Sequence, residues 1–197
     1  MAAALADPRF RSAVRVVALA NLAYFFVEFA VGRIIGSVSL FADSVDFLED
    51  TAVNLLILLA LNWPARRRAR LGMALAALLL APALAGLWTA WSQLQAPVPP
   101  DPSALSLTGL GALVVNVSCA FLLARFRHTG GSLTKAAFFS ARNDALANLA
   151  IIAAAAVTAA TSSFLPDLIV GFGIAALNAG AAREVWAAAR KEHNAVP

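Results

Sequence analysis

Acidic residues inside apolar stretches are the side chains of this sequence best suited to chemistry. Asp43, Asp46 and Asp50 lie in one such stretch, and Asp144 lies in another stretch much later in the chain. On a helix that turns about 100° per residue, Asp46 falls at about −60° and Asp50 at about −20° from Asp43, so the three share one face. Carboxylate oxygens suit hard divalent cations. The spacing therefore predicts a cation-binding face on a helix.

The apolar stretches that carry these acids are long enough to cross a lipid bilayer. The 197-residue chain is 61% hydrophobic and 13% charged, whereas a soluble domain is about 45 to 50% apolar and about 25% charged. This composition excludes a soluble enzyme, and the dominance of alanine and leucine favours helices over a barrel. We predict an all-α membrane protein with six crossings of about 20 residues or more. The predicted crossings are residues 13–33, 38–62, 69–93, 105–126, 134–160 and 166–188.

The positive charges predict an orientation, because short loops rich in Lys and Arg stay on the cytoplasmic side of a membrane. Thirteen of the 15 Lys and Arg residues fall on one predicted side, against Arg33 alone on the other. We therefore expect both termini to be cytoplasmic, in the inner (plasma) membrane of a bacterium. The predicted domains are a cytoplasmic segment at 1–12, a six-helix transmembrane domain at 13–188 and a short cytoplasmic tail at 189–197.

Charge and cysteine content exclude two further classes of protein. The net charge of +4 comes from basic residues split among short loops, so we expect no nucleic-acid partner. The single cysteine, Cys119, lies in an apolar stretch, which excludes a disulfide framework and a thiolate metal cluster. We expect no prosthetic group.

Counting residues along the predicted helices places the acids at similar depth. At 1.5 Å per residue, Asp46 and Asp50 lie about 12 and about 18 Å from one end of their crossing, and Asp144 lies about 15 Å from the opposite end of its own. Because the hydrocarbon core is about 30 Å thick, all three reach the midplane, as do Asn21 and Asn116. Alternating-access transporters bind their substrate at this depth. Gathered carboxylates cannot all stay ionised unless a cation joins them. Protons compete with a metal for the same oxygens, which is a basis for antiport.

Two stretches of the chain resemble motifs of a known transporter family. The stretch SVSLFADSVDFLEDTAVNLL at 37–56 resembles the second membrane helix of the cation diffusion facilitator family, in which an Asp or His precedes an Asp by four residues. Asp46 and Asp50 fill these two places. The stretch SLTKAAFFSARNDALANLAII at 132–152 resembles the family's fifth helix, and Asp144 fills the second place of its motif.

Ser140 stands where the fifth helix of the family has a His or Asp, four residues before Asp144. A hydroxyl is a weak neutral ligand, so Asn143 and Asp43 are alternatives for completing the metal shell. A set of oxygen ligands favours harder ions such as manganese, iron(II) or magnesium, while zinc, cobalt and cadmium remain open.

The resemblance implies a proton-coupled exporter of divalent transition metals that works by alternating access, usually as a homodimer. The metal ion and protons are then its cargo, and the protein is not an enzyme. Many members of the family carry a cytoplasmic domain after the sixth helix, whereas only nine residues, 189–197, follow the predicted sixth helix here. We therefore expect a short member that dimerises through its membrane helices.

Two other classes of protein compete with this interpretation. An intramembrane aspartyl hydrolase also brings together two aspartates from neighbouring helices, but this chain has more acids than a dyad needs and no Gly-x-Gly-Asp stretch. A non-transporting membrane scaffold subunit would have no use for carboxylates at the midplane. We interpret Asn54 and Asn148 as hydrogen-bond partners between helices, which are common in membranes.

Overall fold

The computed structural model describes residues 7–59, 80–126 and 131–177, and every regular element in these ranges is a helix. The predicted all-α fold with six helices is confirmed for this part of the chain. The helices, numbered in chain order, are α1 (Pro8–Ile35), α2 (Val38–Leu59), α3 (Leu80–Gln95), α4 (Pro102–Ala124), α5 (Gly131–Thr161) and α6 (Leu165–Leu177). The predicted basic loop after the second crossing and the predicted cytoplasmic tail lie outside the described residues.

Three of the described helices are long and apolar enough to cross a membrane: α1, α4 and the part of α5 at Ser140–Thr161. Helix α2 has 22 residues, which is sufficient length, but its acids lie so centrally that any 18-residue window contains four of them. The described parts of α3 and α6 are shorter, and the rest of the predicted crossings 69–93 and 166–188 lies outside the described residues. The same acids that predict a cation site therefore reduce the apolar character of α2.

The α1–α2 connection is a tight turn that sets the two helices side by side. Gly36 ends α1 in the left-handed region, with φ +67°, and its backbone N–H donates to the Gly32 carbonyl. Glycine adopts this conformation without the steric cost that a side chain brings. At the other end of α1, the Asp7 carboxylate accepts a 2.8 Å hydrogen bond from the Arg9 N–H and caps the helix. We call the two ends of the bundle the Gly36 end and the Phe10 end.

Two apolar clusters lie on either side of a polar layer in the bundle. The cluster towards the Gly36 end contains Leu40, Ala42, Leu105, Ile151, Ala155 and Ile174. The cluster towards the Phe10 end contains Val17, Cys119, Leu123 and Ala141. The buried side chains of Asn21, Asp50, Asn116 and Asn148 occupy the layer between them along α1, α2, α4 and α5. Large apolar side chains such as Leu19 and Phe121 stay exposed on the outside, which suits a protein surrounded by lipid.

Candidate cation-binding site

Helix α2 carries its acids into the interior of the bundle. Asp43 and Asp50 are buried, with exposed fractions of 0% and 6%, and Asp46 is half-buried between them. Glu49, one residue before Asp50, is also half-buried. Each of these residues lies within three or four positions of the next, so a helix brings them together without any bend. The interior therefore receives a row of carboxylates from one element.

Asp50 joins α2 to two other helices. Its Oδ2 accepts a 3.3 Å hydrogen bond from the Asn21 amide of α1, and its Oδ1 accepts a 3.0 Å hydrogen bond from the Ser140 hydroxyl of α5. Asn21 in turn accepts a contact of 3.8 Å from the Cys119 thiol of α4. Three helices thus converge on one carboxylate, which has neutral donors on both of its oxygens, and α4 joins them through Asn21.

Asp144 of α5 lies beside the acids of α2. Its carboxyl group lies close enough to those of Asp46 and Asp50 for their charges to interact. Ser140 precedes Asp144 by one helical turn and also contacts it. The structure therefore brings Asp46, Asp50, Ser140 and Asp144 into one neighbourhood. We call these four residues the motif cluster.

The motif cluster is a neighbourhood of acids rather than a preassembled metal shell. In the described ranges 7–59, 80–126 and 131–177, no three His, Cys, Asp or Glu side chains come close enough together to hold a metal ion. Several carboxylates near one another in a dry interior cannot all remain ionised without added positive charge. The arrangement can accept protons as it stands, and a metal ion would have to draw the carboxylates closer together.

The two alternative ligands named from the sequence lie in different surroundings. Asn143 is exposed, and its side-chain oxygen accepts a 3.2 Å hydrogen bond from the Arg142 guanidinium. The structure does not bring Asn143 into the motif cluster. Asp43 is fully buried one turn before Asp46, and its Oδ2 accepts a 2.5 Å hydrogen bond from the Asn148 amide. Asp43 thus adjoins the cluster but bonds to a different partner.

The asparagines predicted as hydrogen-bond partners behave differently from each other. Asn148 does link helices, because it donates to Asp43 of α2 and accepts a 3.0 Å hydrogen bond from Asn116 of α4. Asn54 instead donates within its own helix, to the Asp50 carbonyl at 2.7 Å. The interhelical interpretation is confirmed for Asn148. It is wrong for the amide donor of Asn54, which bonds to a carbonyl one turn earlier on its own helix.

A carboxylate that the sequence did not single out, Asp167 of α6, fixes the position of α2. It accepts hydrogen bonds from the Ser37 and Ser39 hydroxyls at 2.7 and 2.5 Å and from the Val38 N–H at 2.7 Å. The Ser39 N–H adds a contact of 3.3 Å. Asp167 thereby caps the first turn of α2 from another helix, where the unpaired N–H groups and the helix dipole favour a negative charge. The only sequence feature that indicates this contact is the Ser-x-Ser stretch at 37–39 at the start of α2. This stretch does not indicate which residue accepts the hydrogen bonds.

The close approach of α6 to α2 depends on a glycine. A Cβ added to Gly171 would lie 2.8 Å from both the Ser39 nitrogen and the Val38 carbonyl carbon. No side chain fits against backbone at that distance, so glycine is required for Asp167 to reach α2. We call Asp167 and its donors Ser37, Val38 and Ser39 the α2 clamp.

A helical bundle with carboxylates in its apolar interior is consistent with a polytopic membrane transporter. The family model of the cation efflux transmembrane domain matches residues 14–191, so the chain belongs to the cation diffusion facilitator family of cation transporters. The resemblance inferred from the two motifs is thereby confirmed. This is a family of transporters and not of enzymes, which favours transport over the hydrolase and scaffold alternatives. A search of curated proteins found no match.

Proposed function

We propose that the protein exports a divalent transition-metal ion in exchange for protons, by alternating access around the motif cluster. The observation that supports this most strongly is the convergence of α1, α2 and α5 on Asp50, through hydrogen bonds from Asn21 and Ser140. Asp46 and Asp144 add negative charge at the same place. A cation that binds there would contact helices on both sides of the bundle, so its binding and release can change how the helices pack.

The ligands we assign are the carboxylates of Asp46, Asp50 and Asp144 and the hydroxyl of Ser140. Asn143 is not part of this set because its side chain is exposed and bonded to Arg142. An all-oxygen set favours manganese, iron(II) or magnesium, and zinc, cobalt and cadmium are the ions to compare with them. The metal ion is cargo, and the proposal includes no prosthetic group.

Proton coupling follows from the chemistry of the ligands. Metal binding requires deprotonated carboxylates, so each metal ion that enters expels protons and each proton that enters weakens metal binding. Lowering the pH on one side of the membrane is therefore expected to favour metal release on that side. The proton gradient then drives metal out of the cell while protons enter.

We further propose that the protein works as a homodimer in a bacterial inner membrane, with both termini cytoplasmic and a transport domain at 13–188 between the segments 1–12 and 189–197. The orientation is supported by the distribution of Lys and Arg. The dimer contact would lie on the apolar outer faces of the membrane helices, which expose large side chains such as Leu107 and Phe121. Crosslinking in native membranes measures this assembly directly.

Transport in proteoliposomes tests the proposed function. The protein is reconstituted with a pH gradient, and uptake of manganese, iron(II), zinc, cobalt and cadmium is followed with an enclosed metal-sensitive dye. We expect one or more of these ions to be carried in the direction opposite to the flow of protons down the pH gradient. We expect Asp50→Ala and Asp144→Ala to abolish this transport while the protein remains monodisperse. The control is Asp101→Asn, at the exposed N-cap of α4, because Asn also caps helices.

Two results would contradict the proposal. One is metal uptake that neither substitution reduces, and the other is a proton leak that does not depend on metal. Growth of an exporter-deficient host on graded concentrations of the same five metals then identifies the physiological ion. Expression of the protein should restore growth only in the presence of the metal that it exports.

A further inference from the structure

The fully buried acids of the described ranges differ in how their oxygens are satisfied. Glu28, Asp43 and Asp167 all have an exposed fraction of 0%. Asp167 has hydrogen-bond donors on both oxygens. Glu28 has a donor on neither oxygen, and Asp43 has none on Oδ1. Three carboxylate oxygens therefore lie in the interior without a donor, which is unfavourable for a charged group.

These three oxygens belong to side chains that meet. The carboxyl groups of Glu28 on α1 and Asp43 on α2 are close enough to interact directly. Two ionised carboxylates offer each other no donor, so without a proton or a cation their contact satisfies neither. The Asn148 amide donates to Asp43 and its oxygen accepts from Asn116, and it gives no hydrogen bond to Glu28, whose two oxygens have no partner. The pair therefore has more hydrogen-bond acceptors than donors, and no positive charge from the described residues compensates it.

The pair lies beside the motif cluster but is not part of it. Asp43 precedes Asp46 by three residues, which is about 4.5 Å along the helix axis towards the Gly36 end. Glu28 lies seven residues before Ile35, the last residue of α1 at the Gly36 end, and its carboxyl group is close enough to that of Asp46 for their charges to interact. A cation that left the motif cluster towards the Gly36 end would meet this pair next.

We propose that Glu28 and Asp43 form a second divalent-cation site, one helical turn from Asp46 on the route between the motif cluster and the Gly36 end. A single shared proton joins only two of the three unpartnered oxygens and leaves one negative charge buried. A divalent cation neutralises both carboxylates and can contact all three oxygens. This inference rests on the proposed function, because the ion is the transported metal.

Equilibrium binding to the purified full chain tests the second site. Mn²⁺ and Zn²⁺ are each dialysed against the protein in detergent, and the bound metal is measured by mass spectrometry. We expect about two ions per chain for the wild type and about one for the Asp50→Asn/Asp144→Asn double variant, which lacks the motif cluster. Adding Glu28→Gln to the double variant is expected to remove the remaining ion. Asp43→Asn on the same background serves as a second test, since its amide oxygen can still accept from Asn148.

The outcomes separate this inference from the proposed function. If the double variant retains neither ion, or if Glu28→Gln leaves its bound metal unchanged, the second site is wrong even where the wild type transports metal. If the wild type neither binds nor transports metal, the proposed function itself fails. Monodispersity in size-exclusion chromatography shows that each variant is folded, and Asp101→Asn should bind as much metal as the wild type.

Discussion

The α2 clamp and the motif cluster both place carboxylates in the interior of one helix bundle, yet they treat them differently. In the clamp, Asp167 accepts hydrogen bonds from two hydroxyls and from the N–H groups of a helix start. In the cluster, Asp50 accepts hydrogen bonds from one amide and one hydroxyl, and other acids lie close to it. Asp167 has four donors, two of them N–H groups of a helix start, and we assign it a structural role. Asp50 has two donors and lies beside other acids, which favours the binding of a cation.

The two regions also act on the same helix. The clamp holds the first turn of α2, and the cluster lies along the same helix from Asp46 to Asp50. A helix is a rigid element, so holding its first turn also fixes the positions of the residues further along. The clamp therefore sets the depth of α2 in the bundle and the rotation at which its acids face α5. Its effect on transport is therefore indirect, and the variants below separate the two roles.

The largest effect is expected for Asp50→Asn, which removes charge from the cluster and keeps the shape of the side chain. Transport should fall about 100-fold or more, because the metal loses an anionic ligand shared by three helices. Thermal stability in detergent should stay equal or rise, since an amide can still pair with Asn21 and Ser140 and like-charge repulsion is relieved. Proteoliposome uptake and thermal unfolding measure the two quantities. A large loss of stability would assign Asp50 to the structural group instead.

Asp167→Ala should show the opposite pattern. It leaves two hydroxyls and the first N–H groups of α2 buried without an acceptor, and we expect a loss of about 3 kcal/mol or more in unfolding free energy. The matched variant is Asp101→Ala, which removes an exposed cap from α4 and should cost about 1 kcal/mol. Equal losses in the two variants, measured by thermal unfolding, would contradict the clamp.

Two glycines of α6 offer a sharper test of the contact between the helices. Gly171→Ala places a methyl group against the α2 backbone and should cost about 1 to 3 kcal/mol, as overpacking does. A Cβ at Gly173 meets nothing within 4 Å, so Gly173→Ala should be neutral or slightly stabilising through helix propensity. The difference in melting temperature between these variants measures the closeness of α2 and α6. No difference would mean that the helices lie further apart.

The smallest effect is expected for Ser140→Ala. The hydroxyl donates to Asp50 and is the weakest of the proposed ligands, so metal affinity should fall about threefold, which corresponds to less than about 1 kcal/mol. Ser118→Ala is the control, because its hydroxyl is exposed and bonds only within α4. Isothermal titration of the transported metal measures both variants. A fall as large as that of Asp50→Asn would raise Ser140 to a principal ligand.

Part of the site could be predicted from the sequence because helical geometry is local. The common face of Asp43, Asp46 and Asp50 follows from spacing within one helix, and counted depth placed Asp144 at the level of α2. The same counting could not reveal that Asn143 turns outwards or that Asn54 bonds within its own helix. These details depend on which way each helix is rotated about its axis, and neighbouring helices decide that rotation.

The sequence by itself determined the membrane class, the six helices and the family, because apolar length, the distribution of charge and two short motifs are properties of consecutive residues. Only the tertiary structure decided that Asp167 caps α2 across 128 to 130 residues of chain and that Glu28 meets Asp43. Contacts between helices depend on the distance between the helices and on the rotation of each about its axis. The spacing of residues along a single helix contains no information about either quantity.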